Sequence, residues 1–145
     1  MTPTIDVAAD VIALERAALD RWGAGDPMGY VELFDDDITY FDPIQDRRID
    51  GRAAMVALMA SIAGKIRVDR YDMLHPVVQQ HGDVALLSFN LLSYRTEGGR
   101  ERVISSWNST EVYRRTSQGW RIVHSHWSYI RPATPSAEYP ESVAG

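Results

Sequence analysis

The sequence predicts an α+β fold in which helices come first and an antiparallel meander follows. Three observations carry that expectation. From Asp6 to Trp22 the apolar positions Val7, Val11, Leu14, Ala18 and Trp22 recur at steps of three and four, which is one face of an amphipathic helix. Residues 67–80, 83–97, 101–115 and 119–131 are long β-type runs separated by the turn signals His81-Gly82-Asp83, Gly98-Gly99 and Ser117-Gln118-Gly119. A chain of 145 residues with 45% apolar content has the size of one ordinary domain.

Each element follows from local chemistry. The first helix ends in the segment Gly23–Pro27, and Pro27 opens a short second helix through Phe34, since proline is preorganised for a first helical turn. Asp35-Asp36-Asp37 reads as the turn into the strand Ile38-Thr-Tyr-Phe-Asp-Pro43, and without a glycine-containing calcium loop around it the triple Asp reads as no metal site. The stretch Arg47-Arg-Ile-Asp-Gly51 reads as a short strand, and the Ala-, Leu- and Met-rich run from Gly51 to Gly64 as a third helix. Glu15 borders the first helix's apolar stripe and reads as a solvated helix-edge glutamate. Helices packed on one face of the meander give a domain over residues 1–131. Residues 132–145, rich in Pro, Ser and Ala, read as a flexible tail.

Composition narrows the function classes. The net charge is −5, the pI is about 5.3, and no run of cations exceeds two, which argues against a nucleic-acid partner. The absence of cysteine excludes thiolate nucleophiles and Cys-based zinc sites. Neither a basic, apolar leader nor a stretch of about 18 apolar residues is found, so the expectation is a cytoplasmic protein with no membrane partner.

Both faces of strand 83–97 read as covered. Ala85, Leu87, Phe89 and Leu91 form one face, and Val84, Leu86, Ser88, Asn90 and Leu92 a mixed second one. Helices cover only one side of a sheet, so a second copy in a two-fold homodimer is the expected cover for the other, with the C-terminal tail as the alternative.

The chemically arresting stretch is "ITYFDP", where an aspartate closes an aromatic, β-branched strand just before a proline. Taken with the helix, short helix, strand, helix and meander order and the closing "GWRIVHSHWS", it resembles the NTF2-like superfamily, particularly its SnoaL-like and DUF4440-type members. The likeness spans about residues 6–131. "STEVYRRTSQGWRIVHSHWS" and "HPVVQQHGDVALLSFNLLSY" are similar to the association domain of calcium/calmodulin-dependent kinase II. The resemblance implies a cone built on a strongly curved, mostly antiparallel sheet with three helices on the N-terminal side. That fold hosts isomerases, dehydratases, hydrolases, cyclases and non-catalytic assembly domains alike.

Asp42-Pro43 and Gly51-Arg-Ala-Ala54 resemble the catalytic region of ketosteroid isomerase. That likeness implies Asp42 as a base, Glu111 at the position of the isomerase's protonated acid, and Trp127-Ser128 at its pocket-lining Trp-Ser. The isomerase's oxyanion tyrosine falls on Ala18 and its supporting tyrosine on Met59, which argues against the steroid reaction itself. At the association domain's pocket arginines stand Asn90, Glu111 and Trp127, which argues against carboxylate ligands.

Strand alternation places Trp107, Ser109, Glu111 and Tyr113 on one face, and Val123, Ser125, Trp127 and Tyr129 on one face of the neighbouring strand. If these faces line the cone, Asp42 and Glu111 meet in an aromatic cavity, where burial and mutual repulsion keep one acid neutral while the other stays an ionised base. The expected activity is a cofactor-independent isomerisation or elimination on a small apolar or aromatic molecule. Asp42 and Glu111 are then the acid–base pair, and Tyr40, Asn90, Trp107, Ser109, Ser125 and Trp127 the substrate contacts. The competing expectation pairs Glu111 with Arg121, makes Asp42 a turn cap, and leaves a non-catalytic ligand-binding or oligomeric association domain. His124 and His126 share the opposite strand face from Trp127 and read as interface or core-edge residues rather than metal ligands; His75 and His81 read as structural.

Overall fold

The computed structural model describes residues 5–131, and the tail expected at 132–145 lies outside them. Helix α1 spans Val7–Gly23 and is capped by Asp6, whose carboxylate accepts the Ala9 N–H at 3.0 Å. Helix α2 is Met28–Leu33, and α3 is Arg52–Ile62. The strands are β1 (Phe34–Phe41), β2 (Ile49–Asp50), β3 (Arg70–His81), β4 (Val84–Glu97), β5 (Arg100–Thr116) and β6 (Gly119–Tyr129).

They form one curved, unclosed sheet in the order β2-β1-β6-β5-β4-β3. Strands β3 to β6 are the expected antiparallel meander; β1 joins β6 in parallel and pairs with β2 on its other side. The three helices pack on the concave face, where the core includes Val11, Leu19, Ile38, Met55, Leu87, Tyr113 and Ile122. Among the described residues no helix is long and apolar enough to cross a membrane.

Two boundaries differ from the sequence expectation for identifiable reasons. Strand β1 starts at Phe34, and the triple Asp lies inside it as an irregularity between two register blocks against β6. There Asp35 pairs with Arg114 at 2.8 Å and accepts the Asp37 N–H. In β6 a bulge between the Tyr113–Ile122 and Val112–His124 pairs changes the strand's parity at Val123. Trp120 and Ile122 therefore face the core on one side of the bulge, and Ser125 faces it on the other. Val123, expected to share the inward face with Ser125 and Trp127, is the residue the bulge absorbs.

Candidate functional site

The concave face and the helices enclose a cavity of about 360 Å³, near the lower end of the size usual for small-molecule sites. Leu19 and Trp22 of α1, Tyr30 of α2 and Leu58, Met59 and Ile62 of α3 form one wall. The sheet supplies Tyr40, Leu91, Trp107, Trp127 and Tyr129, and the segment after α3 adds Lys65, Ile66 and Val68. The aromatic rings interlock edge to face: Trp127 meets Phe89 at 5.7 Å, Trp107 at 5.9 Å and Tyr30 at 6.3 Å between centroids.

Among the described residues of this lining Asp42 is the one acidic residue and Lys65 the one basic residue. Alternation along β1 brings Tyr40 and Asp42 to the same side, and Tyr40 Oη donates to Asp42 Oδ2 at 2.8 Å. Asp42 Oδ1 accepts the backbone N–H groups of Ile44 and Gln45 at 2.8 and 2.9 Å. Asp42 thus caps the turn and lines the cavity at once, combining the two readings that the sequence set against each other. A carboxylate has about four lone-pair sites, so three hydrogen bonds leave it capacity to accept a proton.

Further polar groups stand across the cavity. Ser93 and Ser105 are register partners on β4 and β5, and both are in the wall. Ser105 Oγ accepts the Trp107 Nε1–H at 2.9 Å, which leaves its own O–H free to donate.

Glu111 is placed differently from the expectation. It is fully buried, as are Ser109 and Ser125 almost completely, and none of the three is in the cavity wall. Trp127 stands between: its Nε1–H donates to Ser125 Oγ at 3.0 Å, and Ser125 Oγ donates onward to Glu111 Oε1. Arg121 does not pair with Glu111; its guanidinium donates to the Trp120 carbonyl. Asn90 belongs to the outer sheet face, because alternation that turns Phe89 and Leu91 inward turns it outward, where it bonds Asn108 Oδ1 at 2.7 Å. His124 and His126 are also on the outer face, beside Phe41, and His124 Nδ1 is 2.7 Å from Thr39 Oγ1.

Glu15, read from sequence as solvated, is completely buried. It accepts Tyr30 Oη at 2.5 Å and Tyr113 Oη at 2.7 Å. Its spacing held the signal: with Val11 four residues before and Leu19 four after, Glu15 occupies the centre of the buried stripe rather than its edge. Burial raises the proton affinity of Glu15 above the ordinary carboxylate value, and burial together with the charge of Glu15 pushes Glu111 well above it.

Residues 11–132 match the family model for the SnoaL-like domain. The chain belongs to this family. SnoaL-like architecture also recurs among solved structures. A protein of Parabacteroides distasonis, provisionally assigned as a ketosteroid isomerase, is 37% identical, with a TM-score of 0.76 over 88% of this chain and 90% of that one. An NTF2-like protein of unknown function from Pseudomonas putida is 25% identical, with a TM-score of 0.69 over 83% and 84% of the two chains. The association domain of C. elegans CaMKII shares the fold at 22% identity, with a TM-score of 0.70 over 83% of this chain and 93% of that one. No curated protein matches the sequence significantly. The SnoaL-like domain is thus an α+β NTF2-like fold, as the sequence resemblance implied.

Proposed function

We propose that this SnoaL-like domain binds a small, flat, largely apolar or aromatic molecule and catalyses a cofactor-independent isomerisation or elimination on it, with Asp42 as the base. The observation that carries this reading is a single carboxylate, oriented by Tyr40, in the wall of a largely apolar, aromatic cavity. A general base within reach of a bound ligand is what a proton abstraction needs. Asp42 takes a proton from a carbon next to a carbonyl, and the electron pair moves onto the carbonyl oxygen. The free hydroxyl proton of Ser105 and the Lys65 ammonium are among the donors in the wall available to that oxygen. Return of the proton at another carbon completes an isomerisation, and departure of a leaving group completes an elimination. The ketosteroid isomerase assignment of the P. distasonis relative agrees with this chemistry.

The test is Asp42-dependent hydrogen–deuterium exchange at the activated carbon of 2-tetralone, a flat enolisable ketone, followed by NMR in deuterated water. Exchange is expected with the native chain and a loss of about 10²-fold or more in Asp42→Asn, the usual range for a general base. Unchanged exchange in that variant removes Asp42 from the chemistry. Binding of 2-tetralone with no exchange favours the second reading, a ligand-binding module. The capping bonds from Ile44 and Gln45, which give Asp42 a purely structural reason to be present, speak for that alternative.

The same reading includes a two-fold homodimer through the outer sheet face, where Leu86, Leu92 and Val112 are half-buried and Val84 is 37% exposed. The CaMKII relative, whose fold this chain shares, is itself an association domain.

A further inference from the structure

Behind the cavity the fold buries two carboxyl groups without a cation beside them. Glu15 and Glu111 are both completely inaccessible, and their side chains lie within hydrogen-bonding reach of one another. The groups that face them are Tyr30 from α2, Tyr113 from β5 and Ser125 from β6, with Tyr40 of β1 near enough to feel the charge of Glu111. On the same concave face β4 contributes Ala85, Leu87 and Phe89, all apolar. No Lys, Arg or His is among them.

The count of donors bears on the protonation. Glu15 receives two, from Tyr30 and Tyr113, and Glu111 Oε1 receives one, from Ser125. Glu111 Oε2 has no hydrogen-bond partner. Two bare carboxylates here would set like charges side by side in a dry site and leave that oxygen unsatisfied, both costly. One proton between the carboxyl groups removes both defects.

Each carboxyl group also holds a residue of the cavity wall. Glu15 holds Tyr30, and Glu111 holds Trp127 through Ser125; the two rings meet at 87°. We propose that Glu15 and Glu111 share one proton and act as a positioning pair that fixes the Tyr30 and Trp127 rings, and with them the inner wall of the cavity. Losing the proton puts two charges in the pair, breaks it, and releases the wall. The functional consequence rests on the binding role proposed above; the pair itself is testable in the free protein.

The experiment records glutamate δ-carboxyl signals and the Trp127 indole N–H by NMR from about pH 5 to about pH 9, a range in which ordinary carboxyl groups are already ionised. One carboxyl of the pair is expected to stay protonated at neutral pH, and its alkaline titration to move the Trp127 indole signal. Glu111→Gln keeps a donor for Glu15 and an acceptor for Ser125, so it should hold the indole in place and abolish its pH response. Glu111→Leu should displace the indole and weaken 2-tetralone binding about tenfold, a loss of the size expected for one hydrogen bond, with Gln restoring both. Ordinary titration of both carboxyl groups, or an indole signal indifferent to pH and to Glu111→Leu, overturns the proposal. Should the Leu variant not fold, comparing the native chain with Glu111→Gln decides alone. If 2-tetralone does not bind the native chain while the indole follows the titration, the pair stands and the binding role falls.

Discussion

Removing the Tyr113 hydroxyl would leave Glu15 Oε1 without its donor in a place that water does not reach. Tyr113→Phe is therefore expected to lower the unfolding free energy by about 1–3 kcal/mol, measurable by urea denaturation. The pH dependence of stability carries a second residue-level expectation. Glu111 binds its proton more tightly folded than unfolded, so its stabilisation is complete below the unfolded value of 4.5 and is lost as pH rises through the higher folded value. Stability should thus fall from about pH 4.5 upward, by at most about 1.4 kcal/mol per pH unit for one proton, and that decline should flatten in Glu111→Gln. Asp69 acts in the opposite window. Hydrogen bonds from Arg67 and from the Thr96 N–H hold it down at about 2, so its contribution is present above the unfolded value and disappears as pH falls through about 2. Thermal unfolding across both pH ranges separates the two effects.

At the scale of elements, the end of α1 sets one side of the cavity. The Val68 N–H donates to the Gly23 carbonyl at 3.1 Å, tying the helix to the segment that carries Lys65, Ile66 and Val68 into the wall. A Cβ at Gly23 would stand 2.7 Å from the Val68 carbonyl oxygen, closer than backbone atoms allow. Gly23→Ala should therefore cost about 1–3 kcal/mol through the forced shift, and weaken ligand binding beyond what its melting temperature accounts for. Strand irregularities do comparable work on the sheet. In β3 the register shifts between Leu74 and Val77, with His75 at a φ of 50° immediately before Pro76. A side chain rarely adopts that left-handed conformation, and His75→Gly is expected to raise the melting temperature slightly rather than lower it. Residues 67–80 read from sequence as one uninterrupted β run, and the break at His75-Pro76 is a departure that the alternation rule could not place.

For the whole molecule, the proposed dimer makes a direct prediction. Light scattering should give twice the chain mass, and Leu86→Arg on the outer face should return it to the monomer while leaving the cavity's ligand binding in place. A monomeric native chain would remove the dimer; a larger oligomer would favour an association role over the catalytic one.

Much of this molecule was legible in local pattern. The 3.6-residue period marked α1, the alternation in residues 83–97 marked the face of β4 that is buried, and glycine-bearing turns separated the meander strands. These signals depend on a side chain's direction relative to its own backbone, which neighbouring residues fix. The aspartate before Pro43 likewise announced itself, because a strand end admits few reasons for a charge among aromatic residues. Contacts across the fold were decided elsewhere. Glu15 and Tyr113 are 98 positions apart and meet only when α1 lies on the sheet. The spacing of Glu15 within the α1 stripe pointed to burial, but what it pairs with turns on that docking, as does the distance of Glu111 from the cavity, which depends on where the Trp127 ring comes to rest. Helix packing and the bulge in β6 determine both. Local sequence thus set the elements and their faces, while the tertiary structure alone decided which charges share a dry interior, because desolvation and hydrogen-bond pairing depend on everything that surrounds a group.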